Sequence, residues 1–198
     1  DPLDSFRRMA ERGEEHKEVL SMLEDAVSRP SLVESLMLWV ERTPIMGSSF
    51  ESESDQENVL RYVEAHLEAH KNVCDLASGS SEMMAARMKS SHESAISFLK
   101  PDGAASRRRA GLLFIESYRE LPLLAWPRKL IDAVVELEES MVKWRHSHAR
   151  MVERIMGRRI GTGGTSGVDY LDATAEYRIF RDLWAVRTFL VKPQMRPE

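Results

Sequence analysis

Residues 128–156, RKLIDAVVELEESMVKWRHSHARMVERIM, form a long stretch with neither proline nor glycine. Leu130, Val134, Leu137, Met141 and Trp144 follow one another at gaps of four, three, four and three, and Met151 and Ile155 extend the row. That is the spacing of one face of an α-helix, not of a strand. The position that follows Trp144 in this row is His148. A histidine thus takes the place of an apolar residue on a face expected to pack inward. His146 lies about 200° round the helix from it and is expected to face away.

The same period runs outward through the chain, and alternation at period two hardly occurs. A first helix is expected over 5–28, stopped by Pro30, and Ser31 has the character of a cap for a short helix carrying Leu32, Leu36 and Trp39. The serine-rich stretch 43–54, with Pro44 and Gly47, is expected to be a loop. A helix follows from Asp55 to about Gly79, then one over 81–99 and another over 107–120. Leu121 to Pro127 is expected to be a bend holding Trp126 beside two prolines. Gly157 and Gly161 end the long helix, and one or two short helices are expected over 170–190. The chain is expected to be all-α, a single helical domain over 1–198.

Composition narrows the function classes. The chain has 28 Lys and Arg against 32 Asp and Glu, a net charge of −4, which argues against a surface that coats nucleic acid. Its one cysteine, Cys74, excludes an internal disulfide and suits the cytoplasm. Apolar runs fall far short of the roughly 20 residues that span a bilayer, so no membrane partner is expected. The first residue is Asp1 rather than Met, which suggests a piece of something longer.

Two features carry possible chemistry. His148 is either a core imidazole hydrogen-bonded to a neighbour or a metal ligand, since a neutral imidazole offers a lone pair and Trp144, Met151 and Val152 suit the flat face of a haem. Thirteen residues later begins Gly161-Thr162-Gly163-Gly164-Thr165-Ser166-Gly167. Such a loop either links two helices or wraps a charged group with backbone N–H donors. It is not a phosphate-binding loop, because no Gly-Lys-Ser/Thr follows, and a helix rather than a strand precedes it.

Taken together, Trp144 to His148, Met151 to Gly157, Gly161 to Leu171, Tyr177 to Phe180 and Leu183 to Thr188 resemble the C-terminal signature of the haem-dependent tryptophan 2,3-dioxygenase family. The resemblance is strong over 111–190 and faint before. It implies a helical bundle assembled as a homotetramer, with one haem b in each subunit. His148 matches the proximal iron ligand. Thr162 matches the threonine that meets the ammonium and carboxylate of the substrate, with Gly161 and Gly163 shaping the loop at the haem edge. The implied partners are tryptophan or a related indole, and O2, and the implied product is N-formylkynurenine. The distal half of the family's pocket comes from an N-terminal segment of Ser-Gly-Phe-Gln-Ser type, bearing a histidine and an arginine. No such segment lies between Asp1 and Lys100, so this chain is expected to be the proximal part of a larger enzyme. Relatives in the same superfamily hydroxylate tyrosine or oxygenate methylated indoles, and the loop from Glu41 to Ile45 departs from the dioxygenase pattern. A monooxygenase of this kind and a non-catalytic helical homologue are the alternatives.

Other residues invite competing readings. His66, His70 and Cys74, spaced i, i+4, i+8, form either a zinc site or the polar face of a charged helix, and His70 with Cys74 suggests a tethered haem. Arg107, Arg108 and Arg109 are expected to be a solvated helix start, or to attract a propionate or phosphate. Arg119 and Arg128 bracket the Trp126 bend within possible reach of a propionate. His16 and His92 read as surface residues.

Overall fold

The computed structural model describes residues 4, 7, 8, 14–158 and 167–191. Among them the regular elements are helices: α1 (Glu14–Ser28), α2 (Leu32–Glu41), α3 (Asp55–Ser78), α4 (Glu82–Leu99), α5 (Arg107–Ser117), α6 (Ala125–Met156), α7 (Gly167–Ala175) and α8 (Arg181–Thr188). Single 3₁₀ turns at Pro101–Gly103 and Pro122–Leu124 lead into α5 and α6. The chain divides into two compact units, Asp1–Trp39 and Val40–Glu198.

The first unit contains α1 and most of α2. Pro30 separates the two helices, and Ser31 starts the second by a reciprocal exchange with Glu34. The Glu34 backbone N–H donates to Ser31 Oγ at 3.1 Å, and the Ser31 N–H donates to Glu34 Oε2 at 2.8 Å. Two otherwise orphaned helix-end donors are satisfied this way. The Ser31 backbone and hydroxyl bonds hold the Glu34 carboxyl below its ordinary value.

In the second unit α3 and α4 form a hairpin. Ser81 caps α4, accepting from the Met84 N–H at 3.4 Å. The hairpin packs on α5, α5 packs on α8, and α6 carries α7 along its C-terminal half. The fully buried side chains Tyr62, Val63, Leu99, Leu112, Leu113, Ile115, Ile131 and Leu183 form the core. Each large aliphatic among them contributes roughly 1.5–3 kcal/mol by leaving water. Gly111 lets α5 lie close against the backbone at Val40. A Cβ there would lie 2.8 Å from the Val40 carbonyl oxygen and 3.1 Å from Val40 Cγ1.

Two expectations about local structure change. Trp126 does not sit in a bend: it is already in the first turn of α6 and is 65% exposed. Pro127 is tolerated there because the first-turn N–H groups have no intrahelical acceptor in any case. The Arg107–Arg109 run is not a solvated helix start, since each guanidinium ties α5 to a different segment. Arg107 donates from Nε to Asp55 Oδ2 at 2.9 Å and from Nη2 to the Thr43 carbonyl at 2.7 Å. Arg108 reaches Glu41 at 2.9 Å. Arg109 reaches Asp182 at 3.1 Å and the Phe98 carbonyl at 2.9 Å, with its guanidinium 4.7 Å above the Phe98 ring. Asp55 completes its shell by accepting from Ser48 Oγ at 3.1 Å.

Candidate functional site

The face of α6 that packs inward is not the apolar row containing His148. Its buried residues are Ile131, Val134, Val135, Glu138 and Ala149, with Arg145 and Val152 half-buried on the same side. The expected row is split: its Val134 is buried and Leu130, Met141 and His148 are half-buried, whereas Leu137, Trp144, Met151 and Ile155 lie round the helix from the buried side and are exposed. Trp144 is 63%, Met151 52% and Ile155 76% exposed. The inward positions go to charged residues because these find backbone partners. Glu138 Oε1 accepts from the Phe180 N–H at 3.0 Å and from the Ile179 N–H, and Oε2 accepts from Trp184 Nε1. Arg145 Nη1 donates to the Tyr177 carbonyl at 2.8 Å and lies 3.4 Å from that of Thr174. A buried polar group with a full set of partners costs little, so the fold accepts it.

That pairing leaves an apolar, half-open ledge. His148 is half-buried on it and makes no hydrogen bond among the described residues. Its ring stacks on Trp144, with centroids 5.3 Å apart and planes inclined by 26°. Beside the two rings is a hollow of about 330 Å³, lined by Trp144, Arg145, His148, Tyr170, Leu171, Thr174 and Tyr177. The volume is at the lower end of small-molecule pockets, and its walls combine aromatic faces with a few polar groups. An imidazole with uncommitted nitrogens in such a place offers an electron pair to a metal, and the surrounding rings offer a flat apolar surface. The arrangement fits a planar, metal-bearing group.

Ion pairs fasten α7, which forms the far wall, to the end of α6. Arg158 reaches Glu153 at 2.9 Å and Asp169 at 3.1 Å, and Arg150 pairs with both Asp172 and Glu153. The Arg150 hydrogen bond holds the Asp172 carboxyl below the usual carboxylate range. Gly161, Thr162 and Gly163 lie outside the described residues. Sequence reasoning did not find Arg145, Tyr170, Leu171, Thr174 or Tyr177 as wall residues. One signal was available: Arg145 precedes His148 by three, so the two share a side of the helix.

The other candidates resolve differently. His66, His70 and Cys74 are buried rather than forming a polar face. They do not form a zinc site, because His66 Nε2 is engaged by the Phe189 carbonyl at 2.8 Å. No group of three His, Cys, Asp or Glu among the described residues is arranged to hold a metal ion. His92 is not a lone surface residue but stacks on His70. Arg119 pairs with Glu116, and Arg128 with Asp132 at 3.5 Å. No helix among the described residues is long and apolar enough to cross a membrane.

The family model for tryptophan 2,3-dioxygenase matches residues 7–190. The chain belongs to the tryptophan 2,3-dioxygenase family. The match extends well ahead of residue 111, where the resemblance read from motifs became faint. A "tryptophan 2,3-dioxygenase-like protein" of Xanthomonas campestris pv. campestris is 44% identical, over 87% of this chain and 69% of that protein. A tryptophan 2,3-dioxygenase of Sorangium cellulosum is 42% identical, over 86% of this chain and 45% of its own length. "Tryptophan 2,3-dioxygenase 2" of Ralstonia nicotianae is 44% identical, over 84% and 50% respectively. The chain thus spans about half the length of several relatives it matches. The family is one of oxidoreductases, and the all-helical architecture accords with it.

Proposed function

We propose that this chain is the His148-bearing part of a haem-dependent oxygenase acting on tryptophan or a closely related indole. The observation that carries the reading is the placement of His148. A half-buried imidazole without a hydrogen bond among the described residues is stacked on Trp144 and faces a hollow whose walls include Tyr170 and Tyr177. His148 is the residue that would hold the iron of haem b. Bound haem would supply the O2 chemistry, the insertion of both oxygen atoms across the indole C2–C3 bond to give N-formylkynurenine.

The protein's own contribution is orientation. Trp144 limits rotation of the His148 ring by contact with its face. Arg145 pins the end of α7 through backbone carbonyls and so fixes the wall carrying Tyr170 and Tyr177. Thr162, between Gly161 and Gly163, is assigned to the ammonium and carboxylate of the substrate by resemblance. Assembly as a homotetramer and residence in the cytoplasm belong to the same proposal.

The test is the absorption spectrum of the purified protein reconstituted with haem, recorded with and without tryptophan. A Soret band that shifts on adding tryptophan and is lost in His148→Ala is expected, together with N-formylkynurenine as product. Colourless protein would overturn the reading. The second reading is that of the monooxygenase relatives, in which a single oxygen atom enters an aromatic substrate. Product mass separates the two, since the gain is one oxygen atom rather than two.

A further inference from the structure

Three histidines that the proposed oxygenase chemistry does not use meet where the α3–α4 hairpin receives the end of α8. His66 is fully buried, and its Nε2–H donates to the Phe189 carbonyl at 2.8 Å. That bond leaves Nδ1 as the lone-pair nitrogen, and Nδ1 is buried without a partner. One turn further along α3, the buried His70 ring stacks on His92 of α4, centroids 5.6 Å apart and planes at 22°, with their Nδ1 atoms 3.4 Å apart. The Phe189 ring rests edge-on against His70, centroids 6.1 Å apart, and tilted by 34° against Phe98 at 5.3 Å. The end of α8 is therefore held through its backbone by one histidine and through its side chain by another.

We propose that His66, His70 and His92 form a pH-operated clasp, which grips Phe189 while the rings are neutral and releases the end of α8 when they are protonated. A proton added to His66 must go on Nδ1, where no acceptor exists. Between His70 and His92, one N–H donates to the other ring's lone pair. One further proton can be taken on the donor ring's Nε2 and leaves this bond in place. Once both rings are protonated, two N–H groups and two positive charges face each other, and the contact fails. The groups that face the rings do not compensate. They are Tyr62 and Cys74 from α3, whose Sγ is 3.6 Å from His70 Nδ1, and the Phe189 carbonyl and ring from the end of α8. No carboxylate, ammonium or guanidinium is in hydrogen-bonding or ion-pair contact with these rings among the described residues.

The direction follows from the same burial. Desolvation holds both His66 and His70 below the ordinary imidazole value of 6.5. The unfolded or released chain therefore binds protons more readily than the clasped one. The grip is complete above the released-state value and is lost as pH falls through the clasped values. The other end of α8 is tied by Asp182 to Arg109 and by Trp184 to Glu138, contacts that contain no histidine. Release is thereby confined to the Phe189 end.

Hydrogen–deuterium exchange of the whole chain at pH 7.5 and 5.5, corrected for the intrinsic exchange rate, tests this. Protection of a peptide covering 183–191 is expected to fall severalfold at the lower pH, because the released chain takes up protons there that the clasped one resists. Peptides from the middle of α6 should not change. In His66→Gln combined with His70→Gln, whose amides can donate but do not titrate, protection should be the same at both pH values. Equal protection in the unaltered chain, or an undiminished loss in the double variant, overturns the clasp. Should the variant not fold, a histidine-resolved NMR titration of the unaltered chain decides. Phe189 amide shifts that track imidazole protonation support the clasp, and their independence refutes it.

Discussion

The Trp144 indole lies face to face with the His148 imidazole one turn further along α6, 5.3 Å between centroids. Trp144 is 63% exposed and His148 only half-buried, so mutual contact has a share in fixing the two rings. Such stacks contribute about 0.5–1.5 kcal/mol beyond the area they bury. Trp144→Ala is expected to weaken haem binding by roughly three- to tenfold, read by titrating haem into the apoprotein, without altering thermal stability. His148→Ala should remove the Soret feature altogether. A Trp144→Ala protein that binds haem as tightly as the unaltered chain would remove the orienting role assigned to the indole.

Glu138 is a test of the opposite kind, since it is buried and holds three N–H donors from two segments. Glu138→Gln keeps the shape but replaces one accepting oxygen by an NH2 group aimed at another donor. A loss of about 1–3 kcal/mol in urea unfolding is expected, the cost of leaving buried donors unsatisfied. Fluorescence of Trp184, whose indole N–H loses its partner, should shift at the same time.

Gly111→Ala places a methyl group against the Val40 backbone, where the gap is 2.8 Å. Neither α5 nor the peptide at Val40 can yield by bending a flexible side chain. Overpacking of this kind costs roughly 1–3 kcal/mol. The midpoint of denaturant unfolding should move accordingly, with an unchanged slope.

The attachment of α7 depends on acid in a defined direction. The Arg150 hydrogen bond lowers the Asp172 carboxyl below its ordinary value of 3.8. A carboxyl lowered in the folded state stabilises above its unfolded value, and that contribution disappears as pH falls through the folded one. Limited proteolysis should therefore cut near α7 faster below about pH 4. Asp172→Asn should show the faster cutting at pH 7 as well, and added salt should narrow the difference between the two proteins.

Local signals were readable wherever neighbouring residues decide the outcome. Ser31 with Glu34, and the run from Asp55 to Gly79, fix helix ends through bonds spanning a few positions, and the structure places those ends within a residue or two of expectation. The inward face of α6 was not readable, because Glu138 and Arg145 are accepted there by carbonyls and N–H groups more than 28 residues away. An apolar count alone ranks Trp144 and Ile155 as core and Glu138 as surface, and both rankings reverse. The arginine run has the same cause: three adjacent like charges look solvated until Asp55, Glu41 and Asp182 arrive from elsewhere. His148 drew notice as an interruption of a buried row. It is half-buried in a row that is packed at Val134 and open at Leu137, Trp144, Met151 and Ile155, so the reason for singling it out holds only in part. His66 and His70 were recognised as sharing a face, but His92 and Phe189, which give that face its meaning, come from distant segments.

The side chains of α6 divide between packed and exposed positions, and on the proposed reading this division sets how the protein can diversify. Exchanging Leu137, Trp144, Met151 or Ile155 disturbs little of the packing that keeps the chain folded, because those side chains stand largely in the open. If the proposed binding holds, a lineage or a designer can retune which flat molecule is preferred by drawing new side chains along that strip, while the adjoining packed face keeps the scaffold intact.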